Sequence, residues 1–454
     1  MKISKSDYML YIKHPAWLWV KKNAPEKLPP VSEATQAMFD AGHTFEPYVE
    51  SLFAGGKTVV WDKGDWQSYR TLPARTMQAL EGGVDVLFQG RFEWKEFTFL
   101  PDIIEVIEGR TLHLYEIKSS TKVKSEHIYD LAFQKVVLEN LGFKVARATV
   151  IHINTAYVRQ GEVDARELVT FSEVTEEVNE RALTTPELMQ AALSAAREPQ
   201  MPDPNPERTQ LGAKSQWKEV YEAIFPPSPV VWPADVAPVI SRPEIQQFLG
   251  ELEYPLYFFD YETMQGMVPY FDGQRPYQQI PFQYSLHILR EPGGEVEHVE
   301  YLHRDASNPA PHIAKRLVAD VGETGSIITW NMSFEKSINT ALGQMLPEYA
   351  AQMSAINARV VDLMMPFKAK WYDDPRFEGS ASIKKVLPVV CPELSYKELG
   401  IQDGNSAQRL WMRAILEGTH PNEKEQVLAD LREYCKLDTW AMVRIWQELT
   451  KYFD

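Results

Sequence analysis

Ten of the chain's 31 prolines fall between Pro199 and Pro243, in clusters such as PDPNP and FPPSPVVWP. Proline lacks a backbone N–H and fixes φ, so neither a sheet nor a long helix runs through such a stretch. The sequence therefore divides into residues 1–198, a proline-rich linker over 199–243, partly packed against its neighbours and holding one helix (QWKEVYEAIF), and residues 244–454. At 454 residues the chain exceeds what a single hydrophobic core sustains, and each flanking part is long enough to fold by itself.

On both sides of the linker, hydrophobic periodicity alternates between helix and strand. A helix is expected over 5–22, interrupted at Pro15. A second is expected over 32–53, carrying His43, Glu46 and Glu50 and followed by an extended TVVW segment. VDVLFQGRFEW, FTFLPDIIEVIE and TLHLYEIK read as successive antiparallel strands; a helix over 127–141, the strand ARATVIHIN and an acidic helix or helix pair over 173–198 follow. Beyond the linker the strands are LYFFDYET, QYSLHILR, EHVEYLH and GSIITWN, interleaved with helices and closed by a long helix over 423–452. Both parts are α/β, each a mixed sheet flanked by helices.

Hydrophobic residues make up 44% and charged residues 24%, a globular balance that excludes a mostly disordered chain. No apolar run approaches the roughly 18 residues that span a bilayer. The N-terminal stretch is interrupted by Asp7, Lys13 and His14, unlike a signal peptide, so a cytoplasmic protein without membrane association is expected. Cys391 and Cys435 supply neither a disulfide framework nor a thiolate metal site. The net charge of -16 argues against a surface that coats nucleic acid broadly, yet residues 1–150 are balanced, with 19 basic and 19 acidic residues. An acidic metal site adds negative charge that its cation offsets.

Alternation along LYFFDYET puts Asp260 and Glu262 on one face, close enough to share a cation. Alone, such a pair more often marks a strand end with two solvated acids. Further groups follow in order. In NMSFE, Glu335 stands with Asn331 and Phe334 at a strand-to-helix junction; in YCKLD, Tyr434 and Asp438 are four apart on a helix and so share a face. Four acids and a tyrosine can hold two divalent cations about 4 Å apart, one activating water and one stabilising the leaving oxygen of a phosphodiester. The loop GSASIKKVLP adds Ser380, Ser382 and Lys384 which, with Asn331, are the expected nucleic-acid contacts here.

In the first part, Asp102 lies in one strand and Glu116 and Lys118 share a face of the next, so a hairpin brings the three together. Carboxylate oxygens suit a hard cation such as magnesium, and the ammonium can position water or steady phosphate charge. Lys122 and Lys124 lie just downstream, placed for a phosphate backbone.

The order D-x13-ExK resembles the RecB-like branch of the PD-(D/E)XK nucleases. That resemblance implies a restriction-endonuclease-like fold in which Asp102, Glu116 and Lys118 are metal and catalytic residues, Glu46 or His43 lies near the metal, and Gln134 belongs to the next helix motif as a nucleic-acid contact. Leu138 stands where the branch usually has tyrosine, and His14 where many relatives have an early iron-sulfur cysteine, so no cluster is expected. The order D-x-E, N-x-x-F-E, Y-x-x-x-D in the second part looks like the tyrosine-containing DEDD exonucleases of the ribonuclease H-like fold, with glutamate at 335 in place of the usual aspartate. This implies Asp260, Glu262, Glu335 and Asp438 as ligands of Mg2+ or Mn2+ and Tyr434 orienting the attacking water. DIIE, YEIKSS, FFDYET, NMSFE, GSASIKKVLP and YCKLDT together resemble a bacterial two-part family joining these halves. A metal-dependent nuclease acting on DNA or RNA, in repair or defence, is the implied function. The alternative is a nucleic-acid-binding adaptor with one or both centres degenerate.

Overall fold

The computed structural model describes the chain except residues 32, 54, 60–64, 229, 234–235, 420 and 453–454. The expected helix start at Ser32 and the end of the TVVW segment lie outside the described residues. Two compact units emerge, Met1–Pro229 and Val230–Asp454, and each is mixed α/β. No described helix is long and apolar enough to cross a membrane.

The first unit opens on a two-residue strand, Ile3–Ser4, and α1 (Lys5–Lys13). Ser4 accepts from the Asp7 N–H while the Asp7 carboxylate accepts from the Ser4 N–H, a capping box that fixes where the helix starts. At His14 the backbone becomes extended and α2 (Pro15–Asn23) begins on its proline, so the break expected at Pro15 falls one residue earlier. Then come α3 (Glu33–Glu50), β1 (Lys57–Thr58), α4 (Trp66–Glu81), β2 (Val86–Phe88), β3 (Ile103–Glu108), β4 (Thr111–Lys118), α5 (Ser125–Asn140), β5 (Lys144–Ile153) and β6 (Val169–Glu173).

The six strands form one mixed sheet in chain order, with β4 and β5 parallel through the α5 crossover. A separate small sheet joins Ile3–Ser4 to Phe97–Phe99 and Phe92–Trp94. Asp102, expected inside a strand, sits instead at the bend entering β3.

The proline-rich stretch is not uniformly a linker. Residues 204–224 close over the first two helices: Trp217, on α6 (Lys214–Ile224), is fully buried, stacks on His14 with ring centroids 4.7 Å apart and donates to the Pro204 carbonyl at 2.9 Å. His14 also meets the Asn205 carbonyl through Nε2 at 3.1 Å. The prolines here place one aromatic anchor in a cluster with Ala16, Val20 and Val220. Trp217→Ala is therefore expected to destabilise the first unit by about 3–5 kcal/mol, read as a lower denaturant midpoint; an unchanged midpoint would contradict the packing role.

The second unit contains β7 (Leu256–Met264), β8 (Ile280–Leu289), β9 (Val296–Leu302), β10 (Ile327–Thr329) and β11 (Val360–Asp362), in the order β9-β8-β7-β10-β11. β7, β8 and β9 are antiparallel neighbours, whereas β10 and β11 run parallel to β7. Every residue of β8, and all of β7 except Asp260, is buried. Both faces are thus covered, as the near-continuous apolar runs require. The helices that matter for the site are α7 (Met332–Met345), α8 (Ile383–Val390), α9 (Gly404–Trp411) and α10 (Lys424–Thr450). The last packs across β7 and β8.

Candidate functional site

In the second unit the central strand β7 supplies Asp260 and Glu262 to one face, and α10 lays Tyr434 and Asp438 over them from successive turns. Glu335 enters from the first turn of α7. That helix is aimed by Asn331, in the left-handed region at φ 76°, a conformation asparagine tolerates better than most residues. Asp362 Oδ1 accepts the backbone N–H of Asn331 and of Met364, each at 3.0 Å, so this acid holds the turn.

All four acids have raised pKa values. For Asp260 the causes are burial first, then the negative charges of Asp438, Glu262 and Glu335. For Glu262 they are burial and then Asp438, against which Lys384 acts. Burial pushes Glu335 up to about 8, with Asp362 adding to it. Asp438 rises to about 7 through burial, partly offset by the Tyr396 hydroxyl, Lys384 and Tyr434. One Glu335 oxygen, Oε2, is buried without a hydrogen-bond partner. Burial thus disfavours the charged form of all four acids, and for Asp260 and Glu262 the neighbouring carboxylates add to it.

A cavity of about 470 Å3 opens onto this face. Asp260, Glu262, Tyr434 and Asp438 line it together with Trp330, Phe334, Lys384 and a set of amides including Gln408 and Asn405. Of the expected nucleic-acid contacts, Lys384 lines the cavity, its ammonium also donating to the Gln402 carbonyl at 2.7 Å. Ser380 and Ser382 do not: the Ser380 hydroxyl accepts from the Ser382 N–H within the loop before α8. Asn331 is exposed, and its side chain accepts from Ser333.

One group here was not expected from the sequence, and a second, Cys435, reads there as a small packed residue beside Tyr434. Tyr396, buried, donates its hydroxyl to Asp438 Oδ1 at 2.6 Å. It comes from a loop with no periodic signal, so nothing in the sequence points to it. Cys435, fully buried, brings Sγ within 4.8 Å of carboxylate oxygens of Asp260 and Glu262. Burial, followed by those negative neighbours, holds its thiol well above the usual range.

In the first unit Asp102, Glu116 and Lys118 do meet. The Ile117 N–H donates to Asp102 Oδ2 at 2.6 Å, and Lys118 Nζ lies 2.7 Å from Glu116 Oε1. Burial, with Glu116 adding, pushes the Asp102 acid up to about 7. Two further residues join: Lys5 Nζ lies 2.7 Å from the same Glu116 oxygen, and Asp130 Oδ2 accepts from Lys118 at 2.9 Å. Asp130 had a legible signal, standing four residues before Gln134 and so on its helix face. Lys5 had none.

Gln134, expected to contact nucleic acid, is fully buried and donates to Glu116 Oε2 at 2.6 Å and Asp130 Oδ1 at 2.9 Å. That expectation is corrected: the side chain is buried, and its amide N–H groups are donated to Glu116 on β4 and Asp130 on α5 itself. Glu46 shares a separate cavity of about 260 Å3 with His43 and Lys118. Its carboxylate is held by Gln89 at 3.3 Å and His43 at 3.5 Å. Lys122 and Lys124 are exposed beyond the end of β4.

A family model described as a domain of unknown function (DUF2779) matches residues 257–382. The match takes in Asp260, Glu262 and Glu335 and ends before Tyr434 and Asp438. Among similar proteins, "Uncharacterized protein MG366" of Mycoplasma genitalium is 25% identical over 208 residues, covering 41% of this chain and 31% of the relative. Its homolog in Mycoplasma pneumoniae is 27% identical over 207 residues, with the same shares. "Uncharacterized protein UU173" of Ureaplasma parvum is 26% identical over 220 residues, 43% of this chain and 31% of the relative. The chain thus spans about a third of the length of these relatives.

Proposed function

We propose that the second unit is a divalent-metal-dependent nuclease, an exonuclease hydrolysing phosphodiester bonds of DNA or RNA. The observation that carries this reading is the convergence of Asp260, Glu262, Glu335 and Asp438 beside Tyr434, with Glu335 Oε2 buried and partnerless. The antiparallel β9-β8-β7 arm continued by parallel β10 and β11 supports a ribonuclease H-like fold, and the ordered acids support its DEDD exonuclease version. The mixed sheet and the Asp102, Glu116 and Lys118 cluster of the first unit likewise support a RecB-like ancestry. A cytoplasmic site of action accords with both.

The donor set fits Mg2+ or Mn2+, hard ions that take carboxylate oxygens; Asp260, Glu262, Glu335 and Asp438 would hold them. Bound there, such ions supply Lewis-acid activation of water and charge neutralisation at the leaving oxygen. The protein does the rest. Tyr434 would orient the attacking water, Lys384 would attract a non-bridging phosphate oxygen, and Trp330 and Phe334, which line the cavity, would pack against a base. A cavity of about 470 Å3 lies within the roughly 300–1,000 Å3 of small-ligand pockets. It suits the last nucleotides of a strand better than a continuous duplex, which favours an end-directed enzyme.

The test is a panel of end-labelled single- and double-stranded DNA and RNA incubated with the full chain and Mg2+ or Mn2+. Stepwise shortening that stops on chelation is expected. Binding without cleavage on every substrate would instead favour the adaptor reading.

Tyr396 is a positioning residue in this scheme, acting through Asp438. Tyr396→Phe is expected to lower kcat about 10- to 100-fold, as loss of a partner supporting a metal ligand typically does, with KM for the nucleic acid little changed. A rise in KM with unchanged kcat would place the hydroxyl on the substrate.

A further inference from the structure

We infer that Lys5 is an intramolecular cation that occupies the carboxylate cluster of the first unit and keeps that cluster free of divalent metal. The RecB-like resemblance implies a metal ion among Asp102 and Glu116, and the donors present do not fit one. Glu116 Oε1 already accepts two ammonium groups, Lys5 and Lys118, each at 2.7 Å, and Oε2 accepts Gln134 at 2.6 Å. Asp130 is equally engaged: Oδ1 lies 3.2 Å from Lys5 and accepts Gln134 at 2.9 Å, and Oδ2 takes Lys118 at 2.9 Å. Asp102 Oδ2 takes the Ile117 N–H at 2.6 Å.

A magnesium-like ion needs near-octahedral oxygen ligands at about 2.0–2.1 Å, and here it would have to displace an ammonium from carboxylates that are themselves buried. The Glu116 side chain is 2% exposed and that of Lys5 16%. Charge agrees with geometry. Two carboxylates, Glu116 and Asp130, are each in direct contact with both ammonium groups and Asp102 lies within their field, whereas among the described residues the four acids of the second unit have no ammonium in contact and feel Lys384 from further off.

Lys5 does not reach the cluster by chance. It is the first residue of α1, whose start is fixed by the Ser4–Asp7 capping box, and Ile3–Ser4 is paired in register with Phe97–Thr98. The ammonium is therefore delivered by a rigid element, 111 residues away in sequence from the carboxylate it neutralises. The carboxylate cluster of the first unit is then held together by the chain's own cations and takes no divalent ion. This inference stands apart from the nuclease reading.

The test measures Mn2+ uptake by titration calorimetry on the full chain carrying Asp260→Ala and Asp438→Ala, which silences the second site. With Lys5 intact, adding Glu116→Gln is expected to change Mn2+ uptake not at all. Adding Lys5→Met instead is expected to create one Mn2+ site per chain, which Glu116→Gln then abolishes. Uptake that depends on Glu116 while Lys5 is present overturns the proposal, as does a folded Lys5→Met chain that gains no Mn2+, folding being checked by circular dichroism. Lys5→Gln, which keeps a hydrogen-bond donor without the charge, is run in parallel and decides the same way should Lys5→Met not fold. Failure of the nuclease reading is seen separately, as equal Mn2+ uptake by the unsubstituted chain and the Asp260→Ala, Asp438→Ala chain.

Discussion

Asp260→Asn is expected to do two opposite things: lower metal-dependent cleavage by about 100- to 1,000-fold, the scale of removing a main electrostatic group from an active site, and make the metal-free chain more stable at pH 8. The second effect follows from the crowding on β7. Burial and the charges of Asp438, Glu262 and Glu335 all disfavour ionisation of Asp260. An amide of nearly the same shape removes that penalty. One pKa unit corresponds to about 1.4 kcal/mol, and about 1 kcal/mol moves the melting temperature of a domain of this size by roughly 2–4 °C. A rise of a few degrees in chelator, paired with lost cleavage, identifies an acid kept for function at a cost to stability. Asp362 is the internal control. It accepts two backbone N–H groups at the start of α7, so Asp362→Ala lowers stability instead of raising it. If Asp260→Asn behaved like Asp362→Ala, the claim that β7 carries the metal ligands would be wrong.

What the sequence made legible, and what it did not, follows from how far apart the interacting residues are. Asp260 and Glu262 were readable because strand alternation is strict, and Tyr434 and Asp438 because an i,i+4 pair must share a helix face. Each pair needs only local geometry. The break near Pro15 was readable for the same reason. α4 escaped notice: WQSYRTLPARTMQALE carries Pro73 in its interior, which masks a helix that Asp65 caps from outside.

Lys5 and Tyr396 were not readable as site residues, because each acquires its role from packing between distant elements; Cys435, next to Tyr434, reads from the sequence as a small packed residue, and it is buried. Gln134 shows the opposite error. Its helix was anticipated, but which face of α5 turns toward the carboxylates is a property of the crossover between β4 and β5. The proline count between 199 and 243 was likewise a fact about backbone freedom, not about burial, and could not reveal that Trp217 ties 204–224 to the first helices.

The two clusters solve one electrostatic problem in different ways. Buried carboxylates need compensation, and a protein can supply it from within or leave it to a ligand. In the first unit the compensation is covalently part of the chain, as Lys5 and Lys118. In the second, among the described residues, no ammonium or guanidinium is hydrogen-bonded to those acids: hydroxyls and backbone N–H groups donate to them, and Lys384 acts from further off. On the proposed reading the difference has a thermodynamic signature: the second unit's stability is expected to respond to added cation, and to do so in a pH-dependent way.

In chelator, the thermal stability of the second unit is expected to fall as pH rises from 5 to 9. The sign follows from the direction of the shifts. Carboxyls whose folded pKa exceeds their ordinary value hold their protons more tightly when folded, so they contribute stability at low pH and lose it as pH passes through the folded values. Those values are about 7 for Asp438 and about 8 for Glu335, with Asp260 and Glu262 also raised. Mn2+ replaces the missing protons. At a 100-fold excess over Kd a bound ion adds about 2.7 kcal/mol, on the order of 5–10 °C for a unit of this size. The gain should be large at pH 8.5 and small at pH 5, where protons already fill the site, and binding near pH 7 should release protons into the buffer. Asp260→Asn together with Asp438→Asn flattens both dependences and assigns the transition to this unit. A melting temperature in chelator that does not change between pH 5 and 9, or a Mn2+ gain equal at both ends, would show that these acids are compensated by something other than a metal ion.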